Sequence, residues 1–466
     1  AVGMARYAGE WVAAVVADSR YIAEDAAELI EVVYESLPAA VDSEKMLDED
    51  QPLVHPDHGT NVLFRKTWTW GPVADDFAAA PHKVSYRARW GRSSTVPIET
   101  FGVVARWDEV HEIIDVWASI QMPQYQDQIA GAMRIPMNAV RVHNDVDVGG
   151  SYGVKRGIKH TILVSYLAKK LGFPVRFIED RLDNMSGGDA HGPDRIFDIS
   201  MAFDDRGVVK SMKIRALDDV GAYPGRAPLQ LGKPMTALCG PYRMNSIEYE
   251  AISVTSNKTG QVPVRGFGQS PTNFAVETGI ERVAKHLGLD RVEVRARNLV
   301  RKDEFPWKIP PGSRYDSGDF HAVLEKALKA SDWDDLIRRR DALRADGKYA
   351  GVGIATCLEP GGGNNIFEYL FNPKLKITTF VESVLIKVDP TGVITAVMST
   401  TTSGQGHETL VSTIAGEELE RDPDTIRVTH GDSLEALPTR SPVASRMAIV
   451  LGTAVSMAAR EIKGKM

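Results

Sequence analysis

Three glycine-bearing loops stand where an apolar, extended run gives way to a helical pattern: "VDVGGSYGVKRG" at 146–157, "VRGFGQSP" at 264–271 and "TTSGQGHE" at 401–408. The first amides of a helix have no intrahelical acceptor and carry partial positive charge, and glycine lets a ligand approach the backbone closely. Such loops suit a phosphate, a pyrophosphate or another polyanion. The plainer reading of any one of them is a tight turn that holds nothing. A dinucleotide-binding dehydrogenase is a weak fit to the first loop. Its glycines are spaced GGSYG rather than GxGxxG, Glu179 and Asp180 come later than the roughly twenty residues that fingerprint expects, and GxxxxGK[ST] is absent.

These loops must be held by regular elements. "VHEIIDVWASIQMPQYQDQIAGAMRIPMNAVRV" reads as strand, polar turn, helix and strand. In "IKHTILVSYLAKKLG" the apolar residues Ile158, Ile162, Leu163, Tyr166 and Leu167 recur at helical spacing, Gly172 ends the helix, and "FPVRFIEDR" is a buried strand. The same order of strand, glycine loop, helix and strand returns from "ITAVMST" through Leu419 to Ile426–Thr429, so loops 149–153 and 404–406 are placed to clamp one anionic ligand between two domains. Earlier in the chain, Trp11 to Val16 predicts a strand and Tyr21 to Ile30 an amphipathic helix. Residues 46–80, rich in Pro, Asp and His, predict an extended linker. Lys83 to Trp107 alternates like strands, and residues 308–318 form a Pro/Gly-rich connection.

With 466 residues, 43% of them apolar and 25% charged, the chain has ordinary globular composition. A formal net charge of -7 supplies no basic field for nucleic acid. Cys239 and Cys357 lie far apart without a CxxC pair, so neither a disulfide framework nor an iron–sulfur or zinc site is expected from this chain alone, and a reduced, cytoplasmic setting fits best. No apolar run reaches the roughly eighteen residues of a membrane span. The start lacks Met and enters a strand pattern at once, and the end is a helix without a following strand, which predicts a processed, split or partial chain.

Taken in order, "VWASIQMPQ", "VRVHNDVDVGGSYG", "FPVRFIEDR", "LDDVGAYPG", "GPYRMNSIEYEAISVTSNKTGQVPVRGFGQSP", "VEVRARNLVR" and "TSGQGHETL" followed by "IRVTHGD" resemble the large, molybdenum-binding subunit of the xanthine dehydrogenase and aldehyde oxidase family. The resemblance runs nearly end to end. It implies an α+β chain: the C-terminal part of an α/β hammerhead domain over 1–45, a linker over 46–80, a first molybdopterin-binding domain over 81–318 and a second, incomplete one over 319–466.

Site residues follow from the same resemblance. Gln121 matches a glutamine that hydrogen-bonds an oxo ligand of the molybdenum. Gly149, Gly150, Ser151, Tyr152 and Gly153 match the family's GGGFG loop near the metal, with a serine hydroxyl in place of the third glycine and tyrosine in place of phenylalanine. Arg265, with Gly266 and Phe267 beside it, matches an arginine that steadies negative charge on the substrate, a task suited to a buried guanidinium. No cysteine follows Arg265, which argues against a copper–molybdenum site. Arg156 stands where purine-oxidising members carry a substrate-binding glutamate, so Tyr152, Arg156 and Gln269 are the expected pocket residues. Gly404, Gln405, Gly406, His407, Ser441 and Ser445 match positions against the pterin and its phosphate, and Arg295 is a further candidate. No side chain is expected to ligate the metal, His407 included.

The implied cofactor is molybdenum–molybdopterin cytosine dinucleotide, with [2Fe-2S] clusters and FAD on partner subunits. The implied reaction hydroxylates an aldehyde or N-heteroaromatic carbon with oxygen from water. Its general base is a glutamate whose motif is not found in this sequence, so a second polypeptide or further sequence is expected to supply it. A non-catalytic assembly subunit with the same fold is the alternative from a different class.

Overall fold

The computed structural model describes residues 3–122, 125–225, 228–361, 374, 381–437, 439 and 441–465. Through the first half of the chain the elements are α1 (Arg20–Glu28), β1 (Val62–Trp70), α2 (Val73–Ala79), β2 (His82–Trp90), β3 (Gly102–Asp108), β4 (Ile113–Ala118), α3 (Tyr125–Met133), β5 (Val140–His143), α4 (Lys159–Leu171), β6 (Val175–Ile178), α5 (Arg181–Ser186), β7 (Arg195–Phe203), β8 (Val209–Asp219) and α6 (Leu229–Gly232). Then come β9 (Ser246–Val254), α7 (Gln269–Leu287), α8 (Arg291–Asn298), the short pair β10 (Trp307–Lys308) and β11 (Arg314–Tyr315), α9 (Phe320–Ala330), α10 (Trp333–Ala345), β12 (Val384–Val388), β13 (Ile394–Met398), α11 (His407–Leu419), β14 (Arg427–His430) and α12 (Met447–Lys463). The expected mixed α+β architecture is present.

Three sheets organise these elements. The largest runs β1-β9-β8-β7-β2 and packs one face on α7, around Phe197, Met201, Tyr249, Ile280 and Val283. Its other face carries a cross-strand charge ladder from Arg87 through Asp198 and Arg215 to Glu250 and Arg65, as an antiparallel or mixed sheet with one solvated face requires. The second sheet runs β5-β4-β3-β6, and the third β12-β13-β14. In both of these smaller sheets an antiparallel pair is followed by a helix and a parallel strand: β3, β4, α3, β5 in one and β12, β13, α11, β14 in the other.

Several expectations are corrected here. The stretch 46–80 is not an extended linker throughout, because β1 pairs along its length with β9 and α2 follows it; the tryptophans of "FRKTWTW" supply apolar surface that the surrounding Pro and Asp obscure. Trp11 to Val16 joins no ladder among the described residues, and α1 spans Arg20–Glu28 with no buried residue. Helix α4 buries His160, Thr161, Val164, Ser165 and Ala168 most fully; of the expected stripe, Ile158, Ile162 and Leu167 pack partly buried against the same core, and Tyr166 is exposed. The buried polar groups are accommodated locally: His160 faces Glu179 at 3.4 Å and lies between Phe101 and Phe177. The repeat is also shifted. A short 3-10 turn, Val154–Arg156, separates the GGSYG loop from α4, and β6 pairs antiparallel with β3, so the true counterpart of the 401–408 loop is the turn after β4 that carries Gln121.

Candidate functional site

The two related units meet edge to edge at the ends of their parallel strands. Val142 N donates to Ser433 Oγ at 2.7 Å, Ser433 N to Val142 O at 2.9 Å, and Asn144 Nδ2 to Gly431 O at 2.8 Å, with Arg141 Nε on Asp432 Oδ2 at 2.9 Å. This junction brings the turn after β4 against the turn after β13. Gln121, 6% exposed, lies between them. Its carbonyl accepts from Thr401 Oγ1 at 3.0 Å, its amide N donates to Lys155 O at 3.0 Å, its Nε2 donates to Pro442 O at 3.3 Å, and its Oε1 accepts from Ser151 Oγ at 2.6 Å. Segments that the sequence singled out separately therefore converge on one residue, the Thr401 loop and Lys155 on its backbone and Ser151 and Pro442 on its side chain.

In the GGSYG loop, Gly149 N donates to the Glu99 carboxylate, Gly150 N to Val148 O and Gly153 N to Ser151 Oγ. The Ser151 and Tyr152 amides have no partner among the described residues. Ser151 is 2% exposed, so its hydroxyl turns inward rather than toward solvent. Tyr152 is half exposed at a φ of 54°, and Gly150 and Gly153 lie at 88° and 110°. Gly153 is required: a Cβ there would stand 2.0 Å from Pro263 O, because the loop presses on the backbone leading to Arg265. Arg265 N donates to Tyr152 O at 2.8 Å, which locks the two loops together.

Arg265 itself is exposed and makes no ion pair among the described residues, where a buried guanidinium was expected. Its loop holds Gly266, Phe267 and Gly268 at positive φ of 94°, 46° and 86°. From below, Gln230 Nε2 grips Val262 O at 3.2 Å, and the fully buried pair of Arg195 and Asp218, 2.9 Å apart, takes Gln230 O and Gln261 Nε2. Arg156 is half-buried with its Nε 3.1 Å from Met122 Sδ, next to Gln121. Gln269 begins α7 and faces Lys233 O and Thr236 Oγ1 at 3.5 and 3.4 Å.

Across the junction, Gly406 caps α11 without a side-chain hydrogen bond, at φ of 73°. The amides of Gly404, Gln405 and Gly406 are without partners among the described residues, and a Cβ on either glycine would meet no atom within 4 Å. Gln405 bends back so that its Oε1 accepts from Ser403 N at 2.5 Å. His407 is buried, with Nδ1 3.0 Å from Thr401 O, and burial holds its pKa below the usual histidine value. The serines of the last loop separate: Ser441 is buried, whereas Ser445 donates to Glu359 Oε1 at 3.3 Å. Arg446 reaches Ser441 O and Glu382 and pins that loop.

One candidate stays apart. Arg295 is committed to Glu277 at 3.0 Å and Glu281 at 3.2 Å, and Glu277 also accepts from Tyr242 and Thr356, so this guanidinium holds α8 on α7. Other groups had no motif to reveal them. Lys233 is 3% exposed and its Nζ has no hydrogen-bond partner among the described residues; burial lowers its pKa against the opposing pull of Glu359. A single lysine within the uncharged run "APLQLGKPMTALCGPY" was the only signal. Thr400 Oγ1, Ser403 Oγ and Ser441 Oγ are likewise buried without partners among the described residues.

Buried hydroxyls without a partner are costly and call for one, whether a ligand, an ion or water. Here three of them lie beside a helix start with unpartnered amides and a glycine loop facing open space. That donor set fits the phosphate and polar pterin of a molybdopterin. Among the described residues no cluster of His, Cys, Asp and Glu has the arrangement of a metal site, and no helix is long and apolar enough to cross a membrane.

Comparison with known proteins points the same way. Two molybdopterin cofactor-binding domain families match residues 54–299 and 326–466. The chain is 32% identical over 476 residues to the carbon monoxide dehydrogenase large chain of Hydrogenophaga pseudoflava, covering 97% of this chain and 58% of that one. It is 29% identical over 470 residues to the nicotine 6-hydroxylase large subunit of Paenarthrobacter nicotinovorans, covering 99% and 56%. The crystal structure of quinoline 2-oxidoreductase from Pseudomonas putida 86 superposes with a TM-score of 0.88 at 30% identity, over 96% of this chain and 57% of that one. The chain thus spans a little over half the length of the relatives it matches. Its two matched domains and their order place it in the molybdopterin-binding large subunit family of xanthine dehydrogenase and carbon monoxide dehydrogenase.

Proposed function

We propose that this chain forms the cofactor clamp and part of the substrate pocket of a molybdenum hydroxylase that oxidises an aldehyde or N-heteroaromatic carbon with oxygen from water. The observation that carries this reading is the meeting of Gln121, the GGSYG loop, the Thr401 loop and the Ser441 loop. When bound, the molybdenum cofactor supplies the two-electron oxidation and the activated water oxygen. The chain's own groups bind and orient. Gln121 presents an Nε2–H, and Ser151 and Tyr152 present backbone amides. The amides of 404–406 and the hydroxyls of Thr400, Ser403 and Ser441 suit the pterin and its phosphate. The cytosine dinucleotide form is our reading of that long clamp.

Arg265, exposed on a loop gripped from below, steadies negative charge on the substrate, and Lys233, buried and without a hydrogen-bond partner at Nζ among the described residues, adds a second cation. The general-base carboxylate comes from a second polypeptide or from sequence outside these residues. Electrons leave through [2Fe-2S] and FAD on partner subunits, in keeping with relatives named as large chains and subunits of complexes. Tyr152, Arg156 and Gln269 tune the pocket.

The test is elemental and nucleotide analysis of the protein purified with its companions, together with two variants. Molybdenum and CMP near one per complex are expected, and Gln121→Ala and Arg265→Ala should each cut turnover at least tenfold while bound molybdenum stays nearly constant. Unchanged turnover in both variants would remove the active-site assignment. A complex without molybdenum or pterin would leave a non-catalytic assembly subunit as the better reading.

A further inference from the structure

We infer that Ser151 is a positioning residue that fixes which end of the Gln121 amide faces the cofactor. The inference rests on the reading of Gln121 proposed above. A serine hydroxyl has one proton and two lone-pair acceptor sites. Gly153 N and Lys155 N both point at Ser151 Oγ, at 3.3 and 3.2 Å. A backbone N–H can only donate, so both acceptor sites are taken and the lone proton must go elsewhere. It goes to Gln121, 2.6 Å away. The receiving atom must be the amide oxygen, because the amide nitrogen offers only donors.

One hydroxyl therefore removes the two-fold ambiguity of the glutamine amide. With Oε1 held by Ser151, Nε2 is turned to the opposite side, where one N–H meets Pro442 O at 3.3 Å and the other has no partner among the described residues. That second N–H is the donor left for a cofactor oxygen. The surroundings resist any other arrangement. Gln121 N and Tyr125 OH both bond to Lys155 O, at 3.0 and 2.8 Å, which ties the glutamine backbone to the turn that Ser151 closes. Inverting the amide would set Oε1 against the carbonyl of Pro442, two acceptors facing each other, and Nε2 against a hydroxyl with no acceptor site free.

A small residue at 151 would satisfy the backbone path but not this function. Without the hydroxyl, two turn amides lose their acceptor and Oε1 loses its donor, so the Gln121 amide is oriented only by the long Nε2 bond to Pro442 O and presents the wrong atom more of the time.

The experiment compares Ser151→Ala, Ser151→Thr, Gln121→Ala and the double variant Ser151→Ala/Gln121→Ala, each purified with its companion subunits. It records turnover, KM, molybdenum content and the electron paramagnetic resonance spectrum of the reduced metal. Ser151→Ala should lower kcat about tenfold, as loss of one buried, orienting hydrogen bond does, with KM and molybdenum content little changed and the metal spectrum shifted. Ser151→Thr keeps the hydroxyl and should restore most of the activity. In the Gln121→Ala background the serine substitution should cost nothing further, because its effect passes through the glutamine.

Additive losses in the double variant would overturn the positioning role and leave Ser151 a support of its own loop. So would a Ser151→Ala protein with unchanged kcat and spectrum alongside an impaired Gln121→Ala. If Gln121→Ala itself turned over normally, the reading of Gln121 would fall and this inference with it. Threonine rescue separates a folding defect in Ser151→Ala from loss of the hydroxyl.

Discussion

Substituting Gly153 by alanine tests whether the GGSYG loop and the Arg265 loop are one mechanical unit. Two costs add. The backbone at 153 has φ 110° and ψ -21°, a region that costs a residue with a Cβ on the order of 1–2 kcal/mol. The new Cβ would also stand 2.0 Å from Pro263 O, a full ångström inside the 3.0 Å that such contacts do not undercut, and the obstacle is backbone rather than a movable side chain. Forced overpacking adds about 1–3 kcal/mol, for a total of roughly 2–5 kcal/mol.

Gly404→Ala is the control, since its φ is also positive at 90° but nothing lies within 4 Å of the added methyl, leaving only the backbone cost of about 1–2 kcal/mol. Thermal unfolding followed by circular dichroism should show Gly153→Ala melting lower by roughly 5–15 °C and Gly404→Ala by about 2–6 °C. The two should differ in the opposite sense in cofactor binding: the methyl at 404 blocks approach to the free amides and lowers bound molybdenum, even though the fold survives. Equal melting shifts would refute the close approach of 153 to 263. Full cofactor retention by Gly404→Ala would refute the role given to its amides.

Other expectations follow from the buried charges. Burial holds the His407 pKa below 6.5, so the unfolded chain takes up a proton there before the native one does; stability contributed above 6.5 is lost as pH falls below it, and His407→Asn should flatten that part of the urea-midpoint profile between pH 7 and 5. Lys233 is also lowered by burial, from an ordinary 10.5, so its penalty is absent above that value and grows as pH falls toward the depressed one. Lys233→Met should therefore raise the urea midpoint at pH 7, with the gain shrinking as pH approaches 10.5, while turnover falls; a lower midpoint would show that the ammonium has a partner that holds it.

Much of the site's chemistry was legible because it is local. Glycine at 404 and 406, polar hydroxyls around them and a helix directly after are a contiguous pattern, and the amide-rich helix start is its direct consequence. The strands and helices around both glycine loops were legible for the same reason, since their apolar runs are longer than the ambiguity of any one residue. Less was legible where partners rather than neighbours decide. Residues 62–70 read as linker because Pro and Asp flank them, yet β9 lies alongside and makes them a strand. Arg295 and Arg265 were both read as arginines near the cofactor; packing buried one against Glu277 and left the other at a loop tip, and no spacing separates the two outcomes.

Gln121 shows the division most clearly. Its place at the end of an apolar strand was singled out only through the family resemblance. Its partners lie 30 residues away at Ser151, 280 at Thr401 and 321 at Pro442. A hydrogen bond requires its atoms within about 3 Å and in line, a condition that residue type and local conformation prepare but cannot impose across such separations. Only the edge-to-edge packing of the two strand–helix–strand units brings the four segments together. The sequence alone determined which groups can donate; the tertiary structure decided which atom of Gln121 faces which donor, and therefore what the site can hold.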